Sequence, residues 1–448
     1  MKNNNKLPLF EVVQIESIQD MLLKSAKTYA NKLALEDLTN YPISKVNYSE
    51  LNEYILKFGS SLQKLGLKRR DHIAVIGENR VQWAIAFLTS MMFDFVIIPV
   101  DKNLNHADIL NIIHESDAST LIFSGSFAEL FKEKRDVLSK VKFYINMDLA
   151  KKENDFHSMA EMIKDTEYIT PELPKLNNED IAEIVYTSGS LGRAKGVMLS
   201  QKNIASNLMA MRKMITIYPE DRFLGVLPMH HTYQCTCGFL CVLYSGASLH
   251  FARSLKTITE DLIKVSPTVI LGAPLLYNKI YNKIMKTVSA KKITSTVFKA
   301  MLTVSRLTQK IGWRNSKKII FGKIHKTLGG SMRLLIAGGA APDPKVSKFF
   351  REVGFNVVQG YGLTETSPIL ALNRLEYFKD ESAGLPLDGV EIKINQPDKN
   401  GIGEIYSKGQ NSMLGYYNNK AATEETFEGE WFKTGDLGYF DEDGFLFI

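Results

Sequence analysis

The amino-acid sequence predicts an α/β protein of the doubly wound kind, in which helices cover both faces of parallel sheets. The first observation is an alternation of helical and strand patterns through the N-terminal part of the chain. The second is size, because 448 residues with 45% hydrophobic content can bury a large core and are expected to form two or three packed subdomains. The third is a change near Gly389 to short alternating strands separated by turns.

The alternation is clearest in the first third of the chain. Apolar residues at helical spacing predict helices, and short apolar runs predict strands. Helices that alternate with strands are typical of parallel sheets. The predicted elements are helices at 48–65, 81–92 and 108–114, and strands at 72–76, 95–100 and 121–123.

From Gly389 onward the pattern is that of hairpins. Short alternating segments are separated by Asp-Lys-Asn-Gly and Asp-Glu-Asp-Gly turns, which have the residues that tight hairpins require. We therefore expect two packed α/β subdomains in residues 1–388 and a smaller β unit in residues 389–448. Residues 154–178 are largely polar and contain two prolines, so we expect an internal connection there.

One loop carries most of the functional information. It follows the apolar strand residues 184–186, is rich in small residues, and ends at a lysine. Glycines allow backbone N–H groups to converge on an anion, and the lysine adds a positive charge, so the loop is predicted to bind polyphosphate. The alternative is a flexible surface turn. The candidate phosphate ligands are Thr187, Ser188, Gly189, Ser190, Gly192 and Lys195.

This loop is not a Walker A motif, because no Gly-Lys-Ser or Gly-Lys-Thr closes it. It resembles the phosphate-binding signature of the adenylate-forming superfamily, which includes acyl-CoA synthetases, nonribosomal peptide adenylation domains and luciferases. The resemblance implies that family's large N-terminal region, two doubly wound α/β subdomains plus a small β-barrel. The family pattern is TSGTTG, any residue, PKG, and the chain departs from it at Leu191 and Ala194. Leu191 removes a hydroxyl donor to the phosphates, and Ala194 removes the φ constraint of a proline.

Further segments occur in the order that this resemblance requires: GGAAP, then QGYGLTE, then TGD. Singly, a Thr-Glu pair is most often a helix start and a Gly-Asp pair a turn, but their order supports a nucleotide site. The resemblance implies ATP and Mg²⁺, a cation that prefers oxygen ligands shared with phosphates. It assigns Thr364 to the α-phosphate, Glu365 to Mg²⁺, Asp436 to the ribose hydroxyls and Gly362 to the ATP site in general. The residues that it assigns to the adenine are Gly339, Ala340, Ala341 and Tyr361.

The resemblance also implies a two-step ligase reaction. A carboxylate attacks the α-phosphorus of ATP and pyrophosphate leaves; a thiol, CoA in most members, then takes the acyl group. His231 in Leu-Pro-Met-His-His is implied to lie between the acyl pocket and the nucleotide, and to act with Thr364 and Glu365. The alternative for a lone histidine is a structural role, and the neighbouring His230 leaves the register open.

Charge distribution separates the substrate classes. Amino-acid-activating relatives place an aspartate shortly after the histidine position, whereas residues 232–237 contain no acidic residue. An uncharged acyl tail is therefore favoured. Residues 272–277 and the insert that follows resemble long-chain acyl-CoA synthetases, so we expect a medium- to long-chain fatty acid. The predicted acyl pocket consists of His231, Tyr233, Gly272 and Pro274.

The segment between Leu262 and Pro342 carries the positive excess of the chain. It contains 15 Lys and Arg and no Asp or Glu, whereas the whole chain has a net charge of +6. We hypothesise that it contacts an anionic membrane surface or the phosphates of CoA; the alternative is a solvated basic face over a packed apolar stripe. Nucleic acid is disfavoured because no recognition motif accompanies the charge. The stripe is Ile293, Val297, Met301, Val304, Leu307 and Ile311.

We expect a cytoplasmic protein, peripheral to the inner face of the membrane if that hypothesis holds. The N-terminal residues are polar and lack a signal core, and Asp94 interrupts the most apolar stretch, so no membrane span is predicted. The clustered Cys235, Cys237 and Cys241 suit a reducing compartment. Their spacing matches no familiar zinc site, so buried thiols on an apolar helix are favoured over zinc.

In the adenylate-forming family, TGD and a hairpin lead into a hinge and a C-terminal domain, which carries a lysine that contacts the acyl carboxylate and the α-phosphate. We expect Ile448 to be the end of a fragment that lacks this domain, and therefore a chain that binds ATP but turns over poorly. Three functions stay open: an acyl-CoA synthetase, an acyl-AMP ligase that loads a carrier protein, and a non-catalytic nucleotide-binding protein.

Overall fold

The computed structural model describes residues 8–39, 41–164, 172–187, 194–289, 292–310, 313 and 316–448. These residues form three β-sheets and the helices that cover them. The strands, in chain order, are β1 (Leu33–Asp37), β2 (Lys45–Asn47), β3 (His72–Ile76), β4 (Val96–Val100), β5 (Thr120–Phe123), β6 (Phe143–Asn146), β7 (Phe156–Ser158), β8 (Ile181–Thr187), β9 (Lys195–Ser200), β10 (Arg222–Gly225), β11 (Ser248–Phe251), β12 (Val269–Gly272), β13 (Leu334–Ala337), β14 (Asn356–Gly362), β15 (Ile369–Leu372), β16 (Leu385–Pro386), β17 (Val390–Asn395), β18 (Gly403–Gly409), β19 (Gly415–Tyr416), β20 (Phe427–Glu428), β21 (Trp431–Phe440) and β22 (Leu446–Phe447).

The helices lie mainly between successive strands of the two larger sheets. A π-helix, Tyr233–Leu240, precedes the eighth α-helix, and the 3₁₀ turns are Gly125–Phe127 and Thr364–Thr366. The α-helices are α1 (Ile18–Thr28), α2 (Tyr48–Leu65), α3 (Val81–Phe93), α4 (His106–Glu115), α5 (Ala128–Glu133), α6 (Met159–Lys164), α7 (Gln201–Met214), α8 (Cys241–Tyr244), α9 (Ile258–Val265), α10 (Pro274–Ser289), α11 (Lys292–Lys310), α12 (Ser316–Ile320), α13 (Gly322–Thr327), α14 (Pro344–Glu352) and α15 (Lys420–Thr426).

The largest sheet has nine strands in the order β16-β15-β14-β13-β12-β10-β11-β1-β2. Its central strands, from β14 to β1 in that order, are parallel, and the flanking strands are antiparallel. Gly272 pairs with Ala337, which in turn pairs with Gln359. The carboxyl ends of β12, β13 and β14 therefore lie side by side at one edge.

The second sheet has eight strands in the order β19-β9-β8-β4-β3-β5-β6-β7. The strands from β8 to β7 in that order are parallel, whereas β9 and β19 are antiparallel additions. The third sheet is antiparallel, has the order β17-β18-β21-β20 with β22 beside β21, and is curled like half of a barrel. The predicted fold class, two doubly wound α/β regions with a small barrel-like sheet, is confirmed.

Helix α3 joins the two larger sheets in one core. All of its residues are buried, and it packs against β1 of the nine-stranded sheet and β3 and β4 of the eight-stranded sheet. Trp83 stacks on Phe87 with ring centroids 5.5 Å apart, and Phe87 meets the edge of Phe239 from the π-helix. A helix that is apolar on every side is stable here because both of its faces meet a sheet.

The predicted elements of the first third of the chain are confirmed. Helix α2 and strand β3 have the predicted bounds, and α3, β4, α4 and β5 differ from them by one or two residues. The bounds of α2 are well defined because Asn47 and Glu50 form a capping box at its start, while Gly66 takes a left-handed conformation with φ 110° at its end.

One expectation was wrong. Residues 154–178, expected to be a connection, contain β7 and α6, and residues 165–171 lie outside the described part of the chain. Residues 359–362, the start of the QGYGLTE segment, continue β14, because Gly360 and Tyr361 pair with β15. Pairing with the antiparallel strand β15 thus lengthens β14 beyond its apolar residues.

The apolar stripe predicted on residues 293–311 does not pack as one face. Val297, Val304 and Leu307 of α11 are exposed, and the core beneath this helix is met by Phe298, Met301 and Leu302 instead. Ile311 lies outside the described residues. None of the helices within the described ranges has the length and apolar character to cross a bilayer.

Candidate active site

The motif residues gather where the carboxyl ends of parallel strands in the two larger sheets approach each other. In open α/β sheets this edge is the usual place for ligands, because the loops that follow the strands leave a crevice there. From the nine-stranded sheet come the residues after β13 and at the end of β14; from the eight-stranded sheet comes the hairpin between β8 and β9.

The neck of the phosphate loop is a β-hairpin. Thr187 at the end of β8 pairs with Lys195 at the start of β9, and the Thr187 hydroxyl lies 3.5 Å from the Lys195 carbonyl oxygen. The hairpin therefore holds both ends of the loop at the strand edge. Four predicted phosphate ligands, and Leu191 with them, lie outside the described residues: Ser188, Gly189, Ser190 and Gly192.

Lys195 is linked to Glu365 through Tyr416, a residue that the motifs did not single out. The Lys195 ammonium lies 4.9 Å from the centre of the Tyr416 ring, and the Tyr416 hydroxyl donates a 2.9 Å hydrogen bond to Glu365 Oε1. Burial, with the Glu365 carboxylate beside it, raises the pKa of Tyr416 well above its usual value. The hydroxyl is therefore protonated and donates at neutral pH.

Tyr361 and Asp436 are in direct contact although 75 residues separate them. The Tyr361 hydroxyl donates a 2.7 Å hydrogen bond to Asp436 Oδ2. Burial, assisted by the Asp436 carboxylate, raises the pKa of Tyr361, so this hydroxyl is a donor across the physiological range. Two further hydrogen bonds fix the Asp436 backbone. The Asp436 N–H donates to the Thr434 hydroxyl, and this hydroxyl donates to the Ile405 carbonyl in β18.

The GGAAP and Thr-Glu segments follow two adjacent parallel strands, β13 and β14. Gly339, Ala340 and Ala341 follow β13 and are exposed, and Gly339 takes the left-handed conformation with φ 81°. Thr364 begins the 3₁₀ turn after β14, and its hydroxyl lies 3.4 Å from that of Thr232. The described site residues of all three motifs are thus brought to one place.

The paired histidines differ in environment. His231 is exposed at the start of the turn before the π-helix, whereas His230 is buried, with its Nε2 3.5 Å from Asp101 Oδ1. Burial and the neighbouring His231 lower the pKa of His230 to about 4, so it is neutral at pH 7. His231, the residue chosen from the sequence, is therefore the one that faces solvent, and His230 has the structural setting.

Asn79 holds the backbone of this histidine loop. Its side-chain NH₂ donates a 2.7 Å hydrogen bond to the Leu227 carbonyl, and its side-chain oxygen accepts a 2.9 Å hydrogen bond from the Met229 N–H. Asn79 follows β3 and Asp101 follows β4, so both stand at the carboxyl ends of parallel strands. That position is the one signal in the sequence that could have found them.

A narrow apolar cavity lies behind the strand edge. Its volume in this structure is about 40 Å³, so a larger ligand would have to displace its walls. Ala337 and Gly360 line it, two residues before Gly339 and one before Tyr361, so the cavity reaches the adenine-side segments. Tyr233 of the π-helix also lines it. The other lining residues are Met211, Arg212, Ile215, Ile217, Phe223, Cys237, Cys241, Leu271, Ile336, Ile369 and Leu372.

Only part of the predicted acyl pocket belongs to this cavity. Tyr233 is in its wall, with its ring against the backbone of Gly338, where a side chain would clash at 2.6 Å. His231, Gly272 and Pro274, all described, are outside the lining. The side chains of Leu276 and Tyr277 pack over Gly272. The sequence motif thus located the right strand but not the side of it that faces the cavity.

The chain as a whole matches a known family. Residues 22–417 match the family model described as AMP-binding enzyme. The chain belongs to the AMP-binding enzyme family. It is 27% identical to the chloroplastic long-chain fatty acid acyl-carrier-protein ligase AEE15 of Arabidopsis thaliana, over 95% of this chain and 67% of the relative. It is 24% identical to the long-chain fatty acid CoA ligase FadD15 of Mycobacterium tuberculosis, over 98% of this chain and 75% of the relative.

Solved structures of low sequence identity share the fold of this AMP-binding enzyme. The inhibitor-bound N-terminal domain of FACL13 from Mycobacterium tuberculosis gives a TM-score of 0.78 at 21% identity, covering 97% of this chain and 99% of that chain. The anthranilate CoA ligase AuaEII with anthranoyl-AMP also gives 0.78, at 20% identity, covering 100% of this chain and 78% of that chain. The fold predicted from the motifs is therefore that of the family.

This AMP-binding enzyme buries an unpaired carboxyl group beneath the phosphate loop. Glu183 lies in β8, four residues before Thr187, and is 1% exposed. Its Oε1 has no hydrogen-bond partner in the described part of the chain, and burial raises its pKa to about 8. Glu183 is therefore largely protonated at neutral pH, which avoids an isolated charge in the core.

The three cysteines are buried, as predicted, and lie on the π-helix and at the start of α8. Burial raises the pKa of each thiol, most strongly for Cys235 and Cys237, so they are poor nucleophiles. No group of three His, Cys, Asp or Glu within the described ranges is arranged to hold a metal. The thiols act as small apolar groups, and Cys237 and Cys241 border the cavity.

Proposed function

We propose that this AMP-binding enzyme converts a medium- to long-chain fatty acid and ATP to an acyl-adenylate, and then transfers the acyl group to a thiol. The observation that carries the proposal is the apolar cavity behind the strand edge. It borders on the segments of Gly339 and Tyr361 through Ala337 and Gly360. A tail in that cavity would bring its carboxylate to the same edge as the nucleotide phosphates.

We assign the nucleotide contacts as follows. The exposed backbone of Gly339, Ala340 and Ala341 faces one side of the adenine and Tyr361 the other. Asp436 accepts hydrogen bonds from the ribose hydroxyls, and its bond from Tyr361 keeps the carboxylate oriented for them. Gly362 keeps the turn into Thr364 close to the chain, because a side chain there would clash with the Pro368 carbonyl.

The phosphates are assigned to the opposite side of the edge. Thr187 and Lys195 stand at the neck of the loop that carries Ser188, Gly189, Ser190 and Gly192, and Thr364 stands beside them for the α-phosphate. The donor set near Glu365 fits Mg²⁺, because a carboxylate and a hydroxyl oxygen are the hard ligands that this cation takes together with substrate phosphates. When bound, Mg²⁺ would neutralise charge on the triphosphate.

The first chemical step makes one bond and breaks one. A carboxylate oxygen bonds to the α-phosphorus, and the bond from that phosphorus to the bridging oxygen of pyrophosphate breaks. Lys195 and the loop N–H groups hold the departing charge, so positioning and electrostatic stabilisation carry the catalysis. His231, which is exposed and precedes the lining residue Tyr233 by two positions, is assigned to the boundary between carboxylate and nucleotide.

The second step transfers the acyl group to sulfur. The thiolate bonds to the acyl carbon, and the bond from that carbon to the AMP oxygen breaks. CoA is the proposed acceptor, by analogy with the named CoA ligase. The relative named as an acyl-carrier-protein ligase specifically supports a second candidate, transfer to a carrier protein. AMP release that requires a carrier protein, and is absent with CoA, would favour this second candidate.

The test is acid-dependent exchange of pyrophosphate into ATP, with saturated carboxylic acids of graded length from acetate to stearate. We expect nucleotide binding, and exchange that rises with chain length. Asp436→Ala should weaken both nucleotide binding and exchange, which serves as the control for the site. Nucleotide binding without exchange for any acid would instead favour the non-catalytic alternative, and loss of nucleotide binding altogether would refute the proposal.

We also propose that α11 and its surroundings contact an anionic membrane surface. Val297, Val304 and Leu307 expose apolar surface on this helix, within the segment from Leu262 to Pro342 that has fifteen basic and no acidic residues. Such a face is suited to lie in the headgroup region. Sedimentation with phosphatidylserine vesicles at low salt should remove the protein from solution, and Leu307→Glu should reduce this; equal sedimentation with neutral vesicles would contradict it.

A further inference from the structure

The segment 411–417 connects the Thr-Glu turn to the phosphate hairpin. The Met413 N–H donates to the Glu365 carbonyl at 2.8 Å, and the Leu414 N–H donates to the Met198 carbonyl at 2.9 Å. The Tyr417 N–H donates to the Gly196 carbonyl at 2.7 Å. The backbone of this segment is therefore hydrogen-bonded both to the 3₁₀ turn that follows β14 of the nine-stranded sheet and to β9 of the eight-stranded sheet.

Tyr416 makes the side-chain part of this connection. It is 7% exposed, with its hydroxyl on Glu365 and its ring face beneath the Lys195 ammonium. A tyrosine has two side-chain torsions, and the backbone of Tyr416 is itself paired with Val197. The side chain is thus a rigid spacer between one carboxylate and one ammonium, the two charges that the proposed function assigns to cation and phosphate.

We propose that Tyr416 is a positioning residue, which orients the Glu365 carboxylate toward the divalent cation that accompanies the nucleoside triphosphate. The inference rests on the proposed function. A hydrogen bond to one carboxylate oxygen restricts rotation of the group and leaves its orientation set before the cation arrives. The contact between the Tyr416 ring and Lys195 keeps the Lys195 ammonium near Glu365. The proposed cation ligand and the proposed phosphate ligand are therefore positioned by the same side chain.

A structural role would give a different result. If Tyr416 served only to pack β19 against β9, removal of its hydroxyl would change the binding affinity for ATP and for AMP equally, with or without a divalent cation. Tyr417 provides a matched control, because it is the next residue and its hydroxyl also donates to a carboxylate. That carboxylate is Asp117, at 2.8 Å, which belongs to the turn after α4 and to no assigned site.

The experiment titrates Mg²⁺ into protein with a fixed concentration of fluorescent ATP, and compares AMP binding without the cation. We expect Tyr416→Phe to raise the Mg²⁺ concentration for half-maximal ATP binding about tenfold, since a hydrogen bond to a charged group is lost. AMP affinity should stay within about twofold, by the same reasoning, because no cation is involved. Tyr417→Phe should change neither quantity.

A double-mutant cycle distinguishes action through Glu365 from an independent effect. Glu365→Gln alone should weaken the Mg²⁺ dependence, and adding Tyr416→Phe to it should have no further effect. The proposal is overturned if Tyr416→Phe matches the wild type, if it weakens AMP equally, or if the two substitutions add fully. A wild-type chain that binds no nucleotide would instead refute the proposed function, and this inference with it.

Discussion

The proposed nucleotide half and the proposed acyl half of the candidate active site are built in different ways. In the proposed nucleotide half, polar side chains from distant parts of the chain contact each other in pairs, as Tyr361 contacts Asp436 and Tyr416 contacts Glu365. The proposed acyl half is a cavity lined mainly by apolar side chains, such as Leu271 and Ile369.

This difference explains why the two halves were predicted unequally. Hydrogen bonds and charges require particular residue types, so they leave motifs that can be found in a sequence. Apolar packing requires volume and shape, which many combinations of residues can supply, so it leaves no fixed pattern. Predicted nucleotide residues such as Tyr361 and Asp436 are in contact, whereas three of the four predicted acyl-pocket residues, His231, Gly272 and Pro274, lie outside the cavity lining.

The largest effect is expected where the nucleotide half is closely packed. A Cβ on Gly362 would lie 1.7 Å from the Pro368 carbonyl oxygen, so Gly362→Ala should lower the free energy of unfolding by about 3 kcal/mol or more. Gly339 has nothing within 4 Å of its Cβ position and φ 81°, so Gly339→Ala should cost about 1 kcal/mol. Urea unfolding compares the two; equal losses would contradict this account.

The polar pair itself is tested next. Asp436→Ala removes the proposed ribose contacts and the partner of Tyr361, so AMP affinity should fall on the order of 50-fold, or about 2.3 kcal/mol. Tyr361→Phe keeps the ring and removes only the hydroxyl, and should have a smaller effect. Isothermal titration with AMP measures both. If Asp436→Ala left AMP affinity unchanged, the two residues would form a structural pair without a ligand.

A third prediction concerns Glu183, which is buried in β8 of the β8–β9 hairpin. Its pKa is raised from the ordinary 4.5 to about 8, so the folded chain retains a proton that the unfolded chain releases over this interval. Stability should therefore fall as pH rises from 4.5 to 8, with a slope of up to about 1.4 kcal/mol per pH unit relative to Glu183→Gln. Unfolding curves across this pH range provide the measurement, and parallel pH profiles for the two proteins would show that Glu183 ionises normally.

A fourth prediction concerns Asn79, whose side chain holds the backbone of the loop that leads to His230 and His231. Asn79→Ala leaves the Leu227 carbonyl and the Met229 N–H without their partner, and should lower the free energy of unfolding by about 1.5 kcal/mol. Asn103→Ala is the control, since Asn103 is an asparagine whose bonds are to the nearby Asp101. A loss for Asn103→Ala as large as that for Asn79→Ala would remove the special role of Asn79.

The smallest effect is expected in the acyl half. Cys237→Phe would fill part of the cavity, and should reduce stimulation of pyrophosphate exchange by long-chain acids about tenfold. Short acids and AMP binding should be unaffected, because the nucleotide residues are not touched. Cys235→Ala is the control, as Cys235 is on the same helix but outside the described lining. Equal loss for short and long acids would place the acyl chain elsewhere.

The sequence predicted the fold class, the strand-and-helix order of the first third of the chain, and the order of the nucleotide motifs. It could do so because apolar periodicity and capping are local. The bounds of α2, for example, depend on Asn47, Glu50 and Gly66, all within or next to the helix. The family assignment likewise followed from short motifs that occur in the right order.

Tertiary structure alone decided which distant residues meet. Tyr416, Asn79 and Asp101 carry no motif, and they acquire their contacts because parallel strands of two sheets end at the same edge. The exposed side of α11 was decided in the same way, since its sequence offers two apolar faces and the core accepts the one with Phe298. The physical reason is that packing and hydrogen bonding between separate elements depend on their placement in space, which local sequence patterns do not encode.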